Sequence, residues 1–424
     1  MTTKINGQRM RYLIAGAIVA VYVFLTSFGL QAQDQGFIYG TVSTIDGKEY
    51  KGQLRWGKEE TFWDDIFNSS KEENDWLRYL DRGDYKYVRN NRNNDDDDGG
   101  NWIGSWTNIW SDDYSNHTHQ FAIRFGDIDK IQITGRDDVE VTFKDGKEWD
   151  LEGGSNDVGA TISVFDPEIG QIKLDWGRID EIKFMDAPNT IKGKAGEPLT
   201  GTVETRKGTF TGLIQWDHEE CLSIDKLDGD TEDGDVSIEM GNIASIEKDG
   251  RGSTVTLKSG RKLYLWGSND VNDENRGVIV KDPAIGKVKI GWDDFEMVTF
   301  DDKPKGSGPA YKDYGKPAAL NGTVVTENGE KLSGRIVYDL DEEYDFELLD
   351  GQDDDIEYAI PFRNVKSVKI KNFNYSSVTL RSGKILLLGD GQDVSDKNDG
   401  MLVFTSEGDP TYVPWDDIEE IIFD

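Results

Sequence analysis

Cysteine is nearly missing from this chain: Cys221 is the single one in 424 residues. One thiol makes no internal disulfide, so packing alone must hold the fold together, even in an oxidising compartment. Its neighbours Glu219 and Glu220 raise a thiol pKa rather than lower it, which removes Cys221 as a nucleophile and leaves it a core residue. Past residue 30 no apolar run is long enough to cross a bilayer. Long stretches of 3.6-residue periodicity are also lacking, which excludes a helical architecture. An ordered Ser/His/Asp set, a glycine-rich phosphate loop and a Cys/His metal cluster are all missing, so no enzyme is expected. Positive charge is scarce too, with 48 Lys and Arg against 82 Asp and Glu for a net charge of -34. Such a field repels phosphate backbones; it excludes nucleic acid as a partner and favours cations or cationic surfaces.

The N-terminus carries Lys4, Arg9 and Arg11, an apolar run from Tyr12 to Leu30, and then Gln31-Ala32-Gln33. This is the layout of a secretory signal peptide, residues 1–32, with cleavage after Ala32. The alternative is an uncleaved anchor, and only that retained segment would give stable membrane insertion. The mature chain is expected to be secreted or to reside in the periplasm or cell envelope.

One short pattern recurs along the remainder. Gly40-Thr41-Val42, Gly201-Thr202-Val203 and Gly322-Thr323-Val324 each precede a Gly turn, a second Gly (Gly52, Gly212, Gly334) and an alternating strand. Period-2 alternation puts Leu54 and Trp56, Ile214 and Trp216, and Ile336 and Tyr338 on one buried face. Hairpin turns follow at Asp145-Gly146, Ser259-Gly260 and Ser382-Gly383, where Gly supplies the positive φ. Six closing segments share one apolar spacing: Ile128/Ile131/Ile133, Ile179/Ile182/Phe184, Ile243/Ile246, Phe295/Val298/Phe300, Val365/Val368/Ile370 and Ile418/Ile421/Phe423. Fixed-period similarity of this kind marks a multiplied supersecondary unit, and each half-repeat has about five strands.

The run from Val42 through Asp46-Gly47 to Gly52-Gln53-Leu54 resembles the first motif of the Sm-like small β-barrel family. Arg124-Phe125-Gly126-Asp127-Ile128 and Met240-Gly241-Asn242-Ile243 resemble the second. The resemblance implies strongly bent five-stranded barrels and, for many family members, rings and RNA binding. At the family's Arg-Gly step, however, this chain has Arg124-Phe125, Met240-Gly241 and Arg363-Asn364; with the acidic balance, this speaks against RNA. The expected architecture is all-β: three tandem repeats, each a pair of small five-stranded Sm-like barrels, after the signal peptide. Their bounds are 37–185 with an insertion at 59–118, 199–301 and 319–424. The Pro-, Gly- and Lys-rich segments 186–198 and 302–318 read as solvated linkers.

Three constellations are candidate sites. The insertion gathers Trp63, Trp76, Trp102, Trp106, Trp110 and Tyr114 around a polar run, 90–100, and flat rings beside carboxylates suit a glycan or a protein hot spot. A satellite core is the structural alternative. The Gly267-Ser268-Asn269-Asp270-Val271 loop of the second repeat and the Gly391-Gln392-Asp393-Val394 loop of the third, with the residues after them, offer Asp270, Asn272, Asp273 and Asn275, and Asp393, Asp396 and Asn398. Clustered oxygens of this kind suit calcium, although the same side chains also shape loops without any metal. His117 and His119, after Asp112 and Asp113, are a third set. Glu59-Glu60, Glu219-Glu220 and Glu342-Glu343 each follow the alternating strand and read as one reused turn.

The reading is an exported non-catalytic binding or structural module that presents acidic and aromatic loops to a protein or glycan partner and needs no cofactor, with calcium as the one candidate ion. Two alternatives stay open: a carbohydrate-active hydrolase using paired carboxylates, and a divalent-cation-binding envelope protein.

Overall fold

The computed structural model describes residues 34–71, 74–85, 88, 119–153, 157–405 and 408–424. Residues 1–32, expected to be a signal peptide, lie outside them. Among the described residues no helix is long and apolar enough to cross a membrane.

The protein is all-β. Unit one contains β1 (Tyr39–Thr44), β2 (Glu49–Trp56), β3 (Ile66–Lys71), β4 (His119–Arg124), β5 (Ile128–Ile133), β6 (Asp138–Phe143), β7 (Glu148–Glu152), β8 (Ile162–Asp166), β9 (Gly170–Leu174) and β10 (Ile179–Phe184). Unit two contains β11 (Thr200–Thr205), β12 (Gly208–Trp216), β13 (Lys226–Thr231), β14 (Gly234–Glu239), β15 (Ile243–Asp249), β16 (Gly252–Leu257), β17 (Lys262–Leu265), β18 (Val278–Asp282), β19 (Gly286–Ile290) and β20 (Phe295–Phe300). Unit three contains β21 (Asn321–Thr326), β22 (Lys331–Val337), β23 (Leu348–Asp353), β24 (Ile356–Pro361), β25 (Val365–Ile370), β26 (Tyr375–Leu380), β27 (Ile385–Gly389), β28 (Met401–Phe404), β29 (Thr411–Val413) and β30 (Ile418–Phe423).

All pairings are antiparallel. In unit one the ladder runs β4-β3-β7-β6-β5-β10-β1-β2-β8-β9. Unit three follows the same path, β24-β23-β27-β26-β25-β30-β21-β22-β28-β29. Unit two does likewise, with its β13–β14 pair attached to the end of β17 by the single bridge Asp230↔Trp266. Strand β19 then pairs with β24 and joins units two and three in one ladder.

This corrects the expected pairs of five-stranded barrels: among the described residues no sheet closes. The final strand of each unit, such as β10, pairs with β1 on one side and β5 on the other, and β2 pairs with β8. Strands of the two presumed halves therefore share one ladder. Alternation shows which face of a strand is buried but not which strand lies beside it.

The recurring glycines have a common cause. A Cβ at Gly52, Gly212 or Gly334 would fall on the carbonyl oxygen of Phe165, Lys281 or Phe404 in the neighbouring strand. Only glycine lets the two backbones come this close.

The alternating residues form the interior, with Leu54, Trp56, Trp216, Ile336 and Tyr338 fully buried and Ile214 nearly so. Unit one has an apolar core that also takes in Tyr311 and Tyr314 of the second linker and Tyr344 and Phe346 of unit three, whereas the interiors of units two and three merge into one. The connecting segments are packed rather than solvated. Ala187, Ile191 and Ala195 fill an apolar cluster between units one and two. Tyr311 donates its hydroxyl to the Ile128 carbonyl at 2.8 Å, with its ring 4.5 Å from that of Trp63. Tyr314 bonds Asp64 and lies under the Arg124 guanidinium. Each linker carries enough apolar and aromatic surface among its Lys and Gly to be worth burying.

Candidate functional site

The site is built where each alternating strand ends. After Trp56, Trp216 and Tyr338 the chain reverses through a tight turn closed by the bridges Trp56↔Glu60, Trp216↔Glu220 and Tyr338↔Glu342. The turn needs left-handed backbone, supplied by Gly57 in unit one, Asp217 and His218 in unit two, and Asp339 and Leu340 in unit three. Asp tolerates that region, but Leu does so only under constraint. Leu340 is held by complete burial.

A second loop brings in Asp157, Asp270 and Asp393. Their carbonyls accept the indole N–H of Trp56 at 2.8 Å, that of Trp216 at 2.9 Å, and the Tyr338 hydroxyl. Their Oδ2 atoms accept the backbone N–H of Asn68 (2.8 Å), Asp228 (2.7 Å) and Asp350 (2.7 Å). One residue thus fastens the end of the inner strand to the next strand. Asp217 Oδ1 and Oδ2 accept from the Arg276 backbone and the Asn269 amide, both at 2.6 Å. Asp339 accepts from the Asp399 backbone and, at 2.7 Å, from the Gln392 amide.

In units two and three these acids form triads. Asp217, Glu220 and Asp270 each place a carboxylate oxygen within 4.8 Å of the others, and so do Asp339, Glu342 and Asp393. Glu220 Oε2 and Glu342 Oε2 are shut off from solvent with no hydrogen-bond partner. Burial, then the charges of Asp270 and Asp217, pushes the Glu220 carboxyl up to about 9. Burial raises Asp270 to about 6 and Asp393 to about 7, and it holds Glu342 well above the carboxylate range, with Asp393 the next cause. Three ionised carboxylates at this spacing repel strongly in a desolvated pocket, and either a proton or a cation relieves the repulsion.

The units differ in what relieves it. Unit one lacks the first acid because Gly57 stands there. In unit two the Arg276 guanidinium lies 3.4 Å from Asp217 Oδ2 and 3.2 Å from Glu219 Oε1. In unit three the position matching Arg276 is Asp399, fully buried, so that cluster carries an added acid in place of a cation.

The structure divides the residues expected to bind metal. Asp270 and Asp393 enter the triads. Asn272, Asn275 and Asn398 instead accept backbone N–H groups of Glu274, Gly277 and Gly400, each at 2.9 Å, and so shape their loops. Asp273 and Asp396 are exposed. The partners that complete the triads, Asp217, Glu220, Asp339 and Glu342, were only half visible in the acidic pairs. Structurally Glu60, Glu220 and Glu342 are equivalent, so the third pair is Asp341-Glu342, one residue earlier than Glu342-Glu343.

Trp63 is fully buried, 5.8 Å from the Phe184 ring, and offers no face to a ligand. Trp76 packs on unit three, 6.1 Å from the Phe404 ring and with the Arg335 guanidinium 5.1 Å above it. Trp102, Trp106, Trp110, Tyr114, His117, Asp112 and Asp113 lie outside the described residues. His119 sits on β4 opposite Lys71.

Comparison with protein-family models, with curated proteins and with solved structures finds no match to this chain.

Proposed function

We propose that the chain is an exported, non-catalytic structural module built from three duplicated units, in which a hard divalent cation such as calcium closes the acidic cluster of unit three. The observation that carries this reading is the Asp339–Glu342–Asp393 triad, with its buried, unpartnered Glu342 oxygen and the acid Asp399 at the place where unit two has Arg276. An all-oxygen donor set at this spacing suits calcium, and a carboxylate oxygen that accepts one hydrogen bond keeps a lone pair for the ion. The cation would fasten the loop between β27 and β28 to the end of β22, so its effect would be on stability rather than turnover.

The hydrolase alternative is less favoured. Asp339 and Asp393 are 3% and 5% exposed and already hold backbone N–H groups, which leaves no room for a sugar between them. The cavity of about 100 Å³ where the three units meet is lined by Asp64, Arg124, Lys281 and Lys287 and contains no triad residue.

Calorimetric titration of the chelator-stripped chain with calcium at pH 8 tests the proposal. One site is expected, lost in Glu342→Gln and retained in Glu220→Gln. No binding heat, or binding that survives Glu342→Gln, would remove it.

A further inference from the structure

Units one and two face each other through equivalent surfaces. The outer face of β2 and β8 in unit one presents Gln53, Arg55, Ser163 and Phe165; the outer face of β12 and β18 in unit two presents the matching Leu213, Gln215, Ile279 and Lys281. The contacts are reciprocal. Arg55 of unit one reaches across to Asp225 at 2.7 Å and to the Glu219 carbonyl at 2.9 Å. In return Gln215 of unit two reaches the Glu59 carbonyl at 3.1 Å, and Lys281 pairs with Asp65, the counterpart of Asp225. Each of these aspartates caps the same turn: Asp65 accepts the N–H groups of Thr61 and Phe62, and Asp225 those of Cys221 and Leu222. Thr61 and Cys221, which occupy one equivalent position, touch each other at 3.5 Å. A residue that meets its own counterpart marks a local two-fold axis, the signature of an isologous interface.

Unit three has the same surface, and three of its four residues are apolar. Arg335, Val337, Phe404 and Leu402 occupy the matching places on β22 and β28. No third unit covers it. Instead residues 74–85 and 88, which follow β3 of unit one, contribute a short 3₁₀ turn, Asp75–Tyr79, and side chains that pack on it. Trp76 and Tyr79 flank the Phe404 ring, with Tyr79 at 5.8 Å, and Val88 packs with the buried Val337, Leu340 and Leu402. The Asn74 amide donates to the Leu340 carbonyl at 2.9 Å.

We propose that this segment is a built-in cover for a self-docking surface, and that the outer face of β22 and β28, once uncovered, pairs with the same face of a second copy of this chain. The two-fold contact between units one and two supplies the geometry, because the equivalent faces already dock on one another within a single chain. Val337 stands where units one and two have Arg55 and Gln215, Leu402 where they have Ser163 and Ile279, and Phe404 where they have Phe165 and Lys281, so these three apolar residues make the face costly to leave in water. In units two and three the strands matching β3 and β4 are joined by tight turns at 231–234 and 353–356, so the cover is an addition to unit one rather than part of the common plan.

The test replaces residues 72–118 with the turn Glu232-Asp233 of unit two and measures mass by light scattering at about 50 µM. A doubled mass, returned to monomer by Leu402→Asp and by an added peptide of residues 72–90, is expected. A folded monomer, or a dimer indifferent to Leu402→Asp, overturns the proposal. If the shortened chain fails to fold, Trp76→Ala with Tyr79→Ala in the intact chain gives the same readout. That variant should raise the dimer fraction several-fold, and an unchanged monomer would refute the inference.

Discussion

Replacing Asp393 by Asn should stabilise the protein at pH 8 in the absence of metal. Asp393 Oδ2 accepts the Asp350 N–H at 2.7 Å, and an asparagine oxygen can keep that bond while its amide adds a donor facing Glu342. What the substitution removes is a charge, since burial, and after it Asp341, pushes the Asp393 carboxyl up to about 7. A folded-state pKa raised above the unfolded value means that the folded state binds more protons between about pH 4 and pH 7. Stability therefore falls as pH rises through that window and stays low above it. A gap of about three units at about 1.4 kcal/mol each sets an upper bound of about 4 kcal/mol, and sharing with Glu342 and Asp350 makes ~2–4 kcal/mol the working figure. Units two and three share one core, and for a body of roughly 220 residues that corresponds to a melting shift on the order of 5–15 °C. The assay is scanning calorimetry of wild type and Asp393→Asn in chelator at pH 5 and pH 8. The variant should melt higher at pH 8, and the difference should shrink at pH 5. Calcium at about 100 times its Kd should return about 2.7 kcal/mol to the wild type alone. If the variant melts lower than wild type at pH 8, or if their difference does not depend on pH, the picture of mutually repelling carboxylates is wrong.

Gly334→Ala should destabilise unit three severely, by about 3 kcal/mol or more, because its Cβ would meet the Phe404 carbonyl; Gly329→Ala, whose Cβ meets nothing, should cost about 1 kcal/mol through its positive φ alone. Urea melts of the two variants give the comparison. Burial pushes the Cys221 thiol up to about 12, so Ellman's reagent should leave it unmodified in the native chain and label one thiol per chain in denaturant.

The strand pattern was legible wherever burial obeys a period of two. Leu54 and Trp56, and Ile179, Ile182 and Phe184, all lie in the interior that their spacing implies. Strand neighbours were not legible. Val42 lies opposite Ile182, 140 positions away, and nothing in either residue names the other. The same limit applied to the acids. Asp270 and Asp393 stood out in loops rich in Asp and Asn, but their partners came from a turn about fifty residues earlier, where Asp217 and Asp339 match a glycine in unit one. The aromatic segment was read as a contact surface for an outside ligand, with a satellite core as the alternative. Its described residues Trp76, Tyr79 and Val88 are spent on the molecule's own third unit, a distinction that depends on where they land.

Strand β19 passes its ladder to β24, and a plan that extends in this way has no inherent last member. Its counterpart β29 is three residues long and stands between Pro410 and Pro414, which have no N–H to offer. Further chains seeking an edge there would find almost nothing to zip onto. The polymer that such architecture invites is thereby blunted at this edge, and a lengthened β29 freed of those prolines is where fibre growth would begin.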